Sequence, residues 1–374
     1  MANVTGIFEA AGHSGGFLRS AEANYRVQTS DSVVTPQICR AFGLRGGETI
    51  VGSTRSARGK RNSRVSELHE LETINGRPAA DYEQAKPFEE LTAIDPETAL
   101  QFEAPGGSLS MRVIDLMTPI GLGQRGLIVA PPRTGKTMLL QQMAFGVAAN
   151  HPDVHVIVLL IDERPEEVTD MRRTVAGEVV ASSNDHDVAS HVRIARLVTQ
   201  KAKRMVESGR DVLILLDSLT RLGRAFNASI RGGGRIMSGG LSVGALTEPK
   251  AIFGAARNVE NGGSLTIIAS ALIETGSRMD DVIFNEFKGT GNMEIMLSRE
   301  LADRRLWPAI DMNQSGTRKE ERLLSPEALE VSHKIRRTLM DRGPMRSMET
   351  LLEALERYPT NAEFVAKFAE HRWR

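Results

Sequence analysis

The sequence of 374 residues predicts a small β-barrel followed by an α/β domain with a mainly parallel sheet. Three patterns indicate this fold. Before about residue 75, short strand-like runs are separated by Gly, Asp, Asn and Pro. From residue 108 onward, longer apolar runs alternate with helix-like segments. A phosphate-binding signature lies between one such strand and the next helix. We therefore expect a barrel at residues 1–75, a connector at 76–107 and the α/β domain with C-terminal helices at 108–374.

The N-terminal module has strand-like runs at residues 5–9, 16–19, 32–35 and 49–52, and a helix-like run at 36–42. A module of short strands with glycine-rich corners suits a five-stranded barrel of the oligonucleotide-binding (OB) type. A small barrel that serves only for packing has the same periodicity, so this pattern leaves both interpretations open.

Two segments that follow these strands lack a clear period. Residues 55–64 carry dense positive charge without an acid or an aromatic, which suits a solvated loop or phosphate contact but not base stacking. Residues 76–107 are rich in Pro, Glu, Ala and Gly. This composition predicts a connector on the surface, with the domain boundary inside it.

The phosphate-binding signature is the sequence APPRTGKT at residues 130–137, between an apolar run at 126–129 and a helix-like run at 138–144. Backbone N–H groups at a helix start, together with the helix dipole, attract an anion. Lys136 is therefore predicted to reach the β- and γ-phosphates of ATP, and the Thr137 hydroxyl to complete a Mg²⁺ shell.

This loop departs from the common pattern, because Ala130 replaces the first glycine and two prolines without N–H donors follow it. The phosphate cradle must then come from the residues after the prolines. These are Arg133, Thr134, Gly135, Lys136, Thr137 and Met138.

Two later strand-like runs end in acidic residues. The run at 154–161 is followed by Glu163, and the run at 212–216 is followed by Asp217. An isolated acid at such a place is more often a helix cap. Here the acids accompany a phosphate-binding loop, and ligands of parallel sheets bind at the carboxyl ends of strands. We therefore predict that Glu163 is the base that polarises the attacking water and that Asp217 belongs to the metal shell.

Two loops of the α/β domain combine flexibility with arginine. Residues 231–240 are too rich in glycine to pack, and residues 274–278 follow a strand-like run at 264–270. A long flexible loop within a compact domain is either functional or disordered. Because both loops lie beyond strands, they can point a cation at a polyanion. Beyond residue 325 the tail is predicted to be helical.

The bulk composition excludes several classes of protein. Lys and Arg number 47, as do Asp and Glu, so nucleic-acid contact must rely on a local patch. Cys39 is the single cysteine, which excludes an internal disulfide framework and is typical of a reducing cytosol. Residues 1–20 lack the apolar segment of a signal peptide, and no apolar run is long enough to span a bilayer. We expect a cytoplasmic protein without a membrane partner.

Several longer runs of the sequence, taken together in register, are far more specific than the phosphate-binding loop alone. These are residues 129–140, 160–169, 253–260, 286–294, 308–311 and 315–321. In these runs the chain resembles the Rho family of bacterial transcription termination factors, which are RNA-dependent ring ATPases. The resemblance is close from about residue 108 to the C-terminus and looser in the barrel.

The resemblance implies a RecA-like motor domain, a homohexameric ring and ATP bound between subunits. It assigns the roles of catalytic base and magnesium-side acid to the two strand-end acids named above. Arg164 would contact the nucleotide, and Trp307 would stack on the adenine. Arg318 would be an arginine finger donated to the neighbour's γ-phosphate, with Arg305 close to the same phosphates. Further nucleotide contacts would fall on Gly121, Leu122, Gly123, Gln124, Arg125 and Gly126.

The resemblance also implies that the two flexible loops are pore loops that grip single-stranded RNA through Arg235 and Arg278. In the barrel, Phe17 and Arg19 match the family's RNA-binding strand, and Arg61 of the basic run is a further cation. The chain lacks other aromatics of that site, so we expect weak base recognition there. The positions without an aromatic are Gly15, Val33 and Asn62.

We expect an ATP-hydrolysing, RNA-translocating termination factor with RNA–DNA helicase activity. Its partners would be the nascent transcript, RNA polymerase and elongation factors. A rotary-type ATPase subunit shares the core fold, but the pore-loop arginines and the RNA-binding strand argue against it. An RNA-binding ring regulator without productive turnover is the other alternative. Such a regulator has no chemical need for Lys136, Glu163, Asp217 and Arg318 together.

Overall fold

The structure, a computed structural model, describes residues 2–12, 15–58, 64–82, 85–230 and 238–370. Across these ranges the chain divides into two compact units. The N-terminal unit comprises Met1–Thr92, Arg193–Arg210 and Glu260–Gly263, and the α/β unit comprises Ala93–Val192, Asp211–Val259 and Ser264–Arg374.

The N-terminal unit is built on a closed barrel. Strand β1 pairs with β2 and β4, β2 pairs with β3, and β4 pairs with β5, all antiparallel; β3 then meets β5 at Val33 and Glu67 to close the circle. Buried apolar side chains, among them Phe8, Leu18 and Ile50, fill it. This closed order confirms the predicted OB-type barrel. The elements are β1 (Ala2–Ala10), β2 (Gly16–Arg19), β3 (Ser32–Val34), α1 (Pro36–Phe42), β4 (Thr49–Arg58), β5 (Arg64–Ile74) and β6 (Arg77–Pro78).

The barrel includes a strand that the sequence pattern did not predict. Strand β4 continues through Arg58 and pairs with β5, which begins at Arg64, so both ends of the basic run belong to a hairpin. In β5 charged residues such as Glu67 and Glu70 interrupt the apolar pattern, and these mask the period of two. Residues 59–63, with Arg61 and Asn62, lie outside the described residues.

The α/β unit is organised around a sheet in the order β12-β11-β13-β15-β10-β16-β17. Strands β12 to β16 along this path are parallel, and β17 adds antiparallel at the edge. The central strands are buried along nearly their whole length, which explains their continuous apolar runs. The strands are β7 (Ala93–Ile94), β8 (Ala99–Leu100), β9 (Ile120–Gly121), β10 (Arg125–Ala130), β11 (His155–Ile161), β12 (Glu178–Ser182), β13 (Val212–Asp217), β14 (Arg257–Val259), β15 (Ser264–Leu272), β16 (Met293–Met296) and β17 (Gly316–Thr317).

Helices connect these strands and form the C-terminal tail. The tail is helical, as predicted, and its buried residues Leu351, Leu355 and Phe364 join the main core. The helices are α2 (Leu109–Met117), α3 (Lys136–Asn150), α4 (Pro165–Thr174), α5 (Val188–Glu207), α6 (Leu219–Ser229), α7 (Thr247–Gly254), α8 (Arg278–Lys288), α9 (Arg299–Asp303), α10 (Pro326–Leu339), α11 (Gly343–Glu356) and α12 (Asn361–Glu370).

The segment predicted as a connector, residues 76–107, contributes to both units. The division falls after Thr92. Before it, Phe88 is fully buried in the N-terminal unit, and after it Leu100 and Phe102 are buried in the α/β core. The segment is therefore anchored by apolar side chains rather than only laid on the surface. In the described part of the chain, no helix combines the length and apolar character needed to cross a bilayer.

Candidate active site

The phosphate-binding loop joins the end of β10 to the start of α3, at the carboxyl edge of the sheet. Gly135 has a φ of 80°, and a Cβ atom there would lie 2.7 Å from the Trp307 ring, so backbone and packing both require glycine. The Thr134 hydroxyl is buried and donates to the Pro131 carbonyl oxygen at 2.7 Å, which closes the loop. The Arg133 side chain is exposed. Thr134 therefore shapes the loop with its side chain and offers only its backbone N–H to a ligand.

Lys136 opens α3, and its ammonium group meets both predicted acids. The Nζ atom is ion-paired with Asp217 Oδ1 and lies 3.4 Å from Glu163 Oε1. Ser270, at the carboxyl end of β15, donates its hydroxyl to the same Asp217 oxygen at 2.8 Å. Four neighbouring chain segments thus converge on one point, as expected for the carboxyl edge of a parallel sheet. Thr137, the next residue of α3, is half-buried beside them.

Glu163 is held in a buried position by its own backbone and by a second cation. Asp162 has a φ of 57°, which turns the chain at the end of β11. The Glu163 carbonyl oxygen accepts the Asn184 N–H at 3.0 Å. On the side-chain side, an Arg221 guanidinium nitrogen lies 3.3 Å from Glu163 Oε2 and the same group contacts the Asp162 carbonyl oxygen. The carboxyl group therefore lies between two cations, Lys136 and Arg221.

The electrostatics of this cluster suit proton transfer near neutrality. Burial, and after it the Asp217 carboxylate, raises the pKa of Glu163 to about 7, against the opposing effects of Lys136 and Arg221. Burial lowers the pKa of Lys136, but Asp217 and Glu163 outweigh it and raise that pKa above its ordinary value, so the ammonium stays charged. A carboxyl group with a pKa near 7 is well suited to act as a general base.

Sequence reasoning did not identify Arg221 or Ser270. Arg221 lies four residues after Asp217, in the first turn of α6, and an arginine just past a strand-end acid is a signal that was available in the sequence. Ser270 lies on β15, and only the pairing of β15 beside β13 brings it to Asp217. No spacing in the sequence predicts that contact.

Other residues predicted for the nucleotide lie at two opposite ends of β10. The glycine-rich segment at residues 121–126 leads into the start of the strand, and the phosphate-binding loop follows its other end, about 17 Å away at about 3.3 Å per residue. Here Gln124 and Arg125 bond to Asn292, and the Arg318 N–H donates to the Asn292 carbonyl oxygen at 2.9 Å. One chain therefore does not bring this turn or Arg318 to its own Lys136.

Arg305 and Trp307 lie at the other end, with the phosphate-binding loop. They follow α9, and Trp307 packs over Gly135. A cavity of about 40 Å³ lies beside this contact, between Thr134, Met138 and the Trp307 ring. Arg164 is exposed at the N-terminus of α4, after Glu163. A larger cavity of about 1200 Å³ between α2, α10 and α12 is lined by none of the predicted site residues.

The second predicted RNA loop is well anchored. Arg278 is exposed at the first position of α8. Behind it, Asp280 is fully buried and accepts hydrogen bonds from Thr275 and Arg224. The first predicted loop is described only from residue 238 onward, and Arg235 lies outside the described residues.

In the barrel, the predicted RNA-binding strand is β2. Arg19 is buried, and its guanidinium is ion-paired with Glu9 and Asp31 and lies 4.8 Å from the centre of the Phe17 ring. Arg193 of the same unit also pairs with Glu9, at 3.1 Å. The Arg19 charge is therefore compensated within the barrel, and the half-buried Phe17 ring is held against it.

Comparison with solved structures agrees with the fold of the α/β unit. A prototypical ATPase from the type III secretion system of pathogenic bacteria matches with a TM-score of 0.59 and 25% identity over 72% of this chain and 77% of its own. The assembled ATPase EscN of enteropathogenic E. coli matches with a TM-score of 0.60 and 21% identity over 82% of both chains. The second match supports the fold alone.

Comparison with protein families and curated relatives is more specific. Residues 110–317 match the ATP synthase alpha/beta family nucleotide-binding domain, and residues 4–80 match the Rho termination factor RNA-binding domain. The transcription termination factor Rho of Rhodopirellula baltica is 52% identical over 94% of this chain and 68% of its own length. Those of Cereibacter sphaeroides and Aquifex aeolicus are each 51% identical, over 96% and 97% of this chain and 85% and 84% of their own.

The RNA-binding domain match and the near full-length relatives favour the expected termination factor over a rotary-type ATPase subunit or a ring without turnover. With an RNA-binding barrel, an ATPase domain and half of its residues identical to these relatives, the chain belongs to the transcription termination factor Rho family.

Proposed function

We propose that this protein is an RNA-dependent ATPase that hydrolyses ATP between subunits of a homohexameric ring and uses it to move along single-stranded RNA, to separate RNA–DNA hybrids and to release transcripts. The observation that carries the chemistry is the convergence of Lys136, Glu163 and Asp217 at the carboxyl edge of the sheet. A cation for phosphate, a buried base and a metal-side acid are the parts that phosphoryl transfer to water requires.

In this proposal the residues have separate roles. Lys136 neutralises the β- and γ-phosphates, and the backbone N–H groups of residues 133–138 bind their oxygens. Glu163, with its pKa near 7, takes the proton from the attacking water. Arg221 orients the Glu163 carboxyl group from the opposite side. Trp307 offers a face for the adenine ring.

The residues also fit a magnesium ion. Asp217 Oδ2 is buried and has no hydrogen-bond partner within the described ranges. Mg²⁺ binds proteins through one or two oxygen ligands, and takes water and substrate phosphates for the rest. Thr137 Oγ1 and Asp217 would hold it, and when bound it neutralises charge on the phosphates.

The positions of residues at the two ends of β10 support the proposal of a ring. Within a single chain, Arg318 and the segment 121–126 lie about 17 Å from the phosphate-binding loop, because the length of β10 separates them. Arg318 is exposed, and within the described residues no hydrogen bond or ion pair engages its guanidinium. We propose that Arg318 and the turn contact the nucleotide of a neighbouring subunit, with Arg305 acting on the side of Lys136.

For RNA, we propose that Arg235 and Arg278 contact the strand within the ring and that the barrel, through Phe17, Arg19 and Arg61, binds RNA weakly. Since Arg19 already pairs with two acids, its contribution to phosphate attraction is small. RNA polymerase and elongation factors are the proposed partners, and the cytoplasm is the proposed location.

The test is ATP hydrolysis by the purified protein with and without single-stranded RNA, with Lys136→Ala as the inactive control. Stimulation by RNA and strand displacement from an RNA–DNA hybrid are expected. A rate of ATP hydrolysis that is the same with and without RNA would instead fit a rotary-type ATPase. RNA binding without turnover would fit a regulatory ring.

A further inference from the structure

Asn292 lies just before β16 and is hydrogen-bonded to the segment 121–126 through both its backbone and its side chain. Its N–H donates to the Arg125 carbonyl oxygen at 2.9 Å, and its Oδ1 accepts the Arg125 N–H, also at 2.9 Å. The same Oδ1 accepts a hydrogen bond from the Gln124 side-chain amide at 2.8 Å. The side-chain oxygen of Asn292 therefore receives two hydrogen bonds from this segment.

The Gln124 side chain gives the segment 121–126 a single shape. It is buried, its Oε1 accepts the Gly121 N–H at 3.3 Å, and its Nε2 donates to Oδ1 and to the carbonyl oxygen of Asn292. Gly123 has a φ of 88°, and a Cβ atom there would lie 2.2 Å from the backbone of β14, so glycine is required. Asn292 is therefore bonded to the centre of a well-defined turn.

The backbone of Asn292 also determines where Arg318 leaves the sheet. Strands β16 and β17 pair with Met293 opposite Thr317. The Arg318 N–H donates to the Asn292 carbonyl oxygen at 2.9 Å, which continues this pairing by one residue. Strand β17 has only two residues, and besides its pairing the Thr317 hydroxyl donates to the Pro119 carbonyl oxygen at 2.7 Å. The bond to Asn292 is thus the last contact of the strand before the Arg318 side chain.

The start of β10, where these residues lie, is positively charged. The Arg125 guanidinium donates to the carbonyl oxygens of Thr290 and Ala256, at 2.6 and 3.2 Å. Burial lowers the pKa of Arg125, and the charges of Arg257 and Arg318 lower it further. Because these three arginines repel one another, a polyphosphate beside them would be stabilised.

We infer that Asn292 is a positioning residue that joins Arg318 and the segment 121–126 into one unit, which it presents to the nucleotide of the neighbouring subunit. The inference rests on the proposed function, because it takes the nucleotide to lie between subunits. A misplacement of about 1 Å can cost about 10²-fold in rate. Asn292 therefore acts on the neighbour's site and does not affect the Lys136 of its own subunit.

The decisive variant is Asn292→Leu, which keeps the branched shape of the side chain and removes the oxygen that Gln124 and Arg125 bind. Hydrolysis should fall about 10²-fold. Gln124→Met removes one of the same bonds from the other side and should cause a smaller loss. Asn361→Leu is the matched control, because Asn361 is also half-buried and its side chain bonds to Arg112 at 2.9 and 3.2 Å. It should keep normal turnover, since it lies at the start of α12.

Rings assembled from two variants, with mixing verified by native mass spectrometry, show on which side of the site Asn292 acts. Asn292→Leu mixed with Lys136→Ala should be more active than either variant alone, because the first subunit supplies Lys136 and the second supplies an intact Arg318 side. Asn292→Leu mixed with Arg318→Ala should show no such gain, because both changes lie on the same side of every site. A subunit that had only lost its fold would show no gain in either mixture.

The mixture of Arg318→Ala with Lys136→Ala is the reference. If it recovers no activity, the proposed assembly fails, and this inference fails with it. If the reference recovers, three results overturn only the role of Asn292: normal hydrolysis by Asn292→Leu, a gain with Arg318→Ala, or no gain with Lys136→Ala. An equal loss in Asn361→Leu would also overturn it. If Asn292→Leu forms no rings, Gln124→Met is judged by the same mixtures.

Discussion

The Lys136 ammonium group is ion-paired with the Asp217 carboxylate, and the same nitrogen atom lies 3.4 Å from Glu163 Oε1. Both acids are almost completely buried. Two carboxylates in such a site repel each other, and burial disfavours their charge. The single cation between them is sufficient to keep Asp217 paired, while the pKa of Glu163 rises to about 7. The two carboxyl groups are thus suited to different roles: Asp217 pairs with a cation, and Glu163 can accept a proton near neutral pH.

The first prediction concerns Glu163→Gln. The amide keeps the size of the side chain and removes only its basicity, so ATP binding should be nearly unchanged. Hydrolysis should fall by about 10²- to 10⁴-fold, the usual contribution of a general base. Nucleotide affinity by fluorescence titration and steady-state turnover together check this. Glu166→Gln, on the exposed face of the next turn, is the matched control. Near-normal turnover in Glu163→Gln would exclude it as the base.

The second prediction is a shift in pH dependence on Arg221→Met. Arg221 lowers the pKa of Glu163, so its removal should raise that pKa above about 7. Because the base works when ionised, the acidic limb of the kcat–pH profile should move to higher pH. Well below the pKa, each unit of upward shift lowers turnover about tenfold. Activity should be recovered as the pH is raised.

Arg172→Met removes the same charge from an exposed position on α4 and should leave the profile in place. If Arg221→Met lowers turnover equally at every pH, the arginine acts by geometry alone, and its electrostatic role is refuted.

The sequence predicted the parts of the site that are local in the chain. The phosphate-binding loop and the two strand-end acids each stand beside an apolar strand, and the carboxyl-edge rule for parallel sheets brings them together. Ser270 and Arg221 act through contacts between non-consecutive segments, so no spacing predicts either contact, although the position of Arg221 just after a strand-end acid was a signal in the sequence. Their role depends on strand order, which apolar periodicity does not determine.

In the barrel, too, the sequence predicted local features but not the contacts between distant segments. Its short strands with glycine corners predicted the fold, but β5 was missed because charged residues interrupt its apolar alternation. The compensation of Arg19 by Glu9 and Asp31 also escaped prediction. Those acids lie on different segments, and only the closed barrel brings them to one guanidinium.

The third prediction follows from that pairing. Arg19→Met should destabilise the protein by about 3 kcal/mol, the lower end of the cost of breaking a buried ion pair, because Glu9 keeps Arg193 while Asp31 loses its cation. Urea unfolding of the N-terminal unit measures it. Arg26→Met, an exposed arginine of the same unit, should change stability by no more than about 0.5 kcal/mol. An unchanged midpoint in Arg19→Met would mean that Arg19 is free for RNA after all.

The last prediction tests donation of Arg318 across a subunit interface. Arg318 and Lys136 lie at opposite ends of β10 in one chain, so in the proposed ring each would belong to a different nucleotide site. An arginine finger typically contributes about 10³- to 10⁵-fold in rate by stabilising transition-state charge. Arg318→Ala should therefore abolish most hydrolysis with little change in ATP affinity, and Lys136→Ala should abolish it as well.

Rings assembled from a mixture of the two variants test donation between subunits directly. Where an Arg318→Ala subunit supplies Lys136 and the neighbouring Lys136→Ala subunit supplies Arg318, the shared site is complete, so mixing the two inactive proteins should restore part of the activity. The control is a ring in which unmodified subunits alternate with subunits that carry both changes. Each interface then lacks either Lys136 or Arg318, so no site is complete. Mixing must be verified by native mass spectrometry. Recovery only in the first mixture supports donation between subunits. No recovery in verified mixed rings would show that Arg318 does not act on a neighbour's nucleotide.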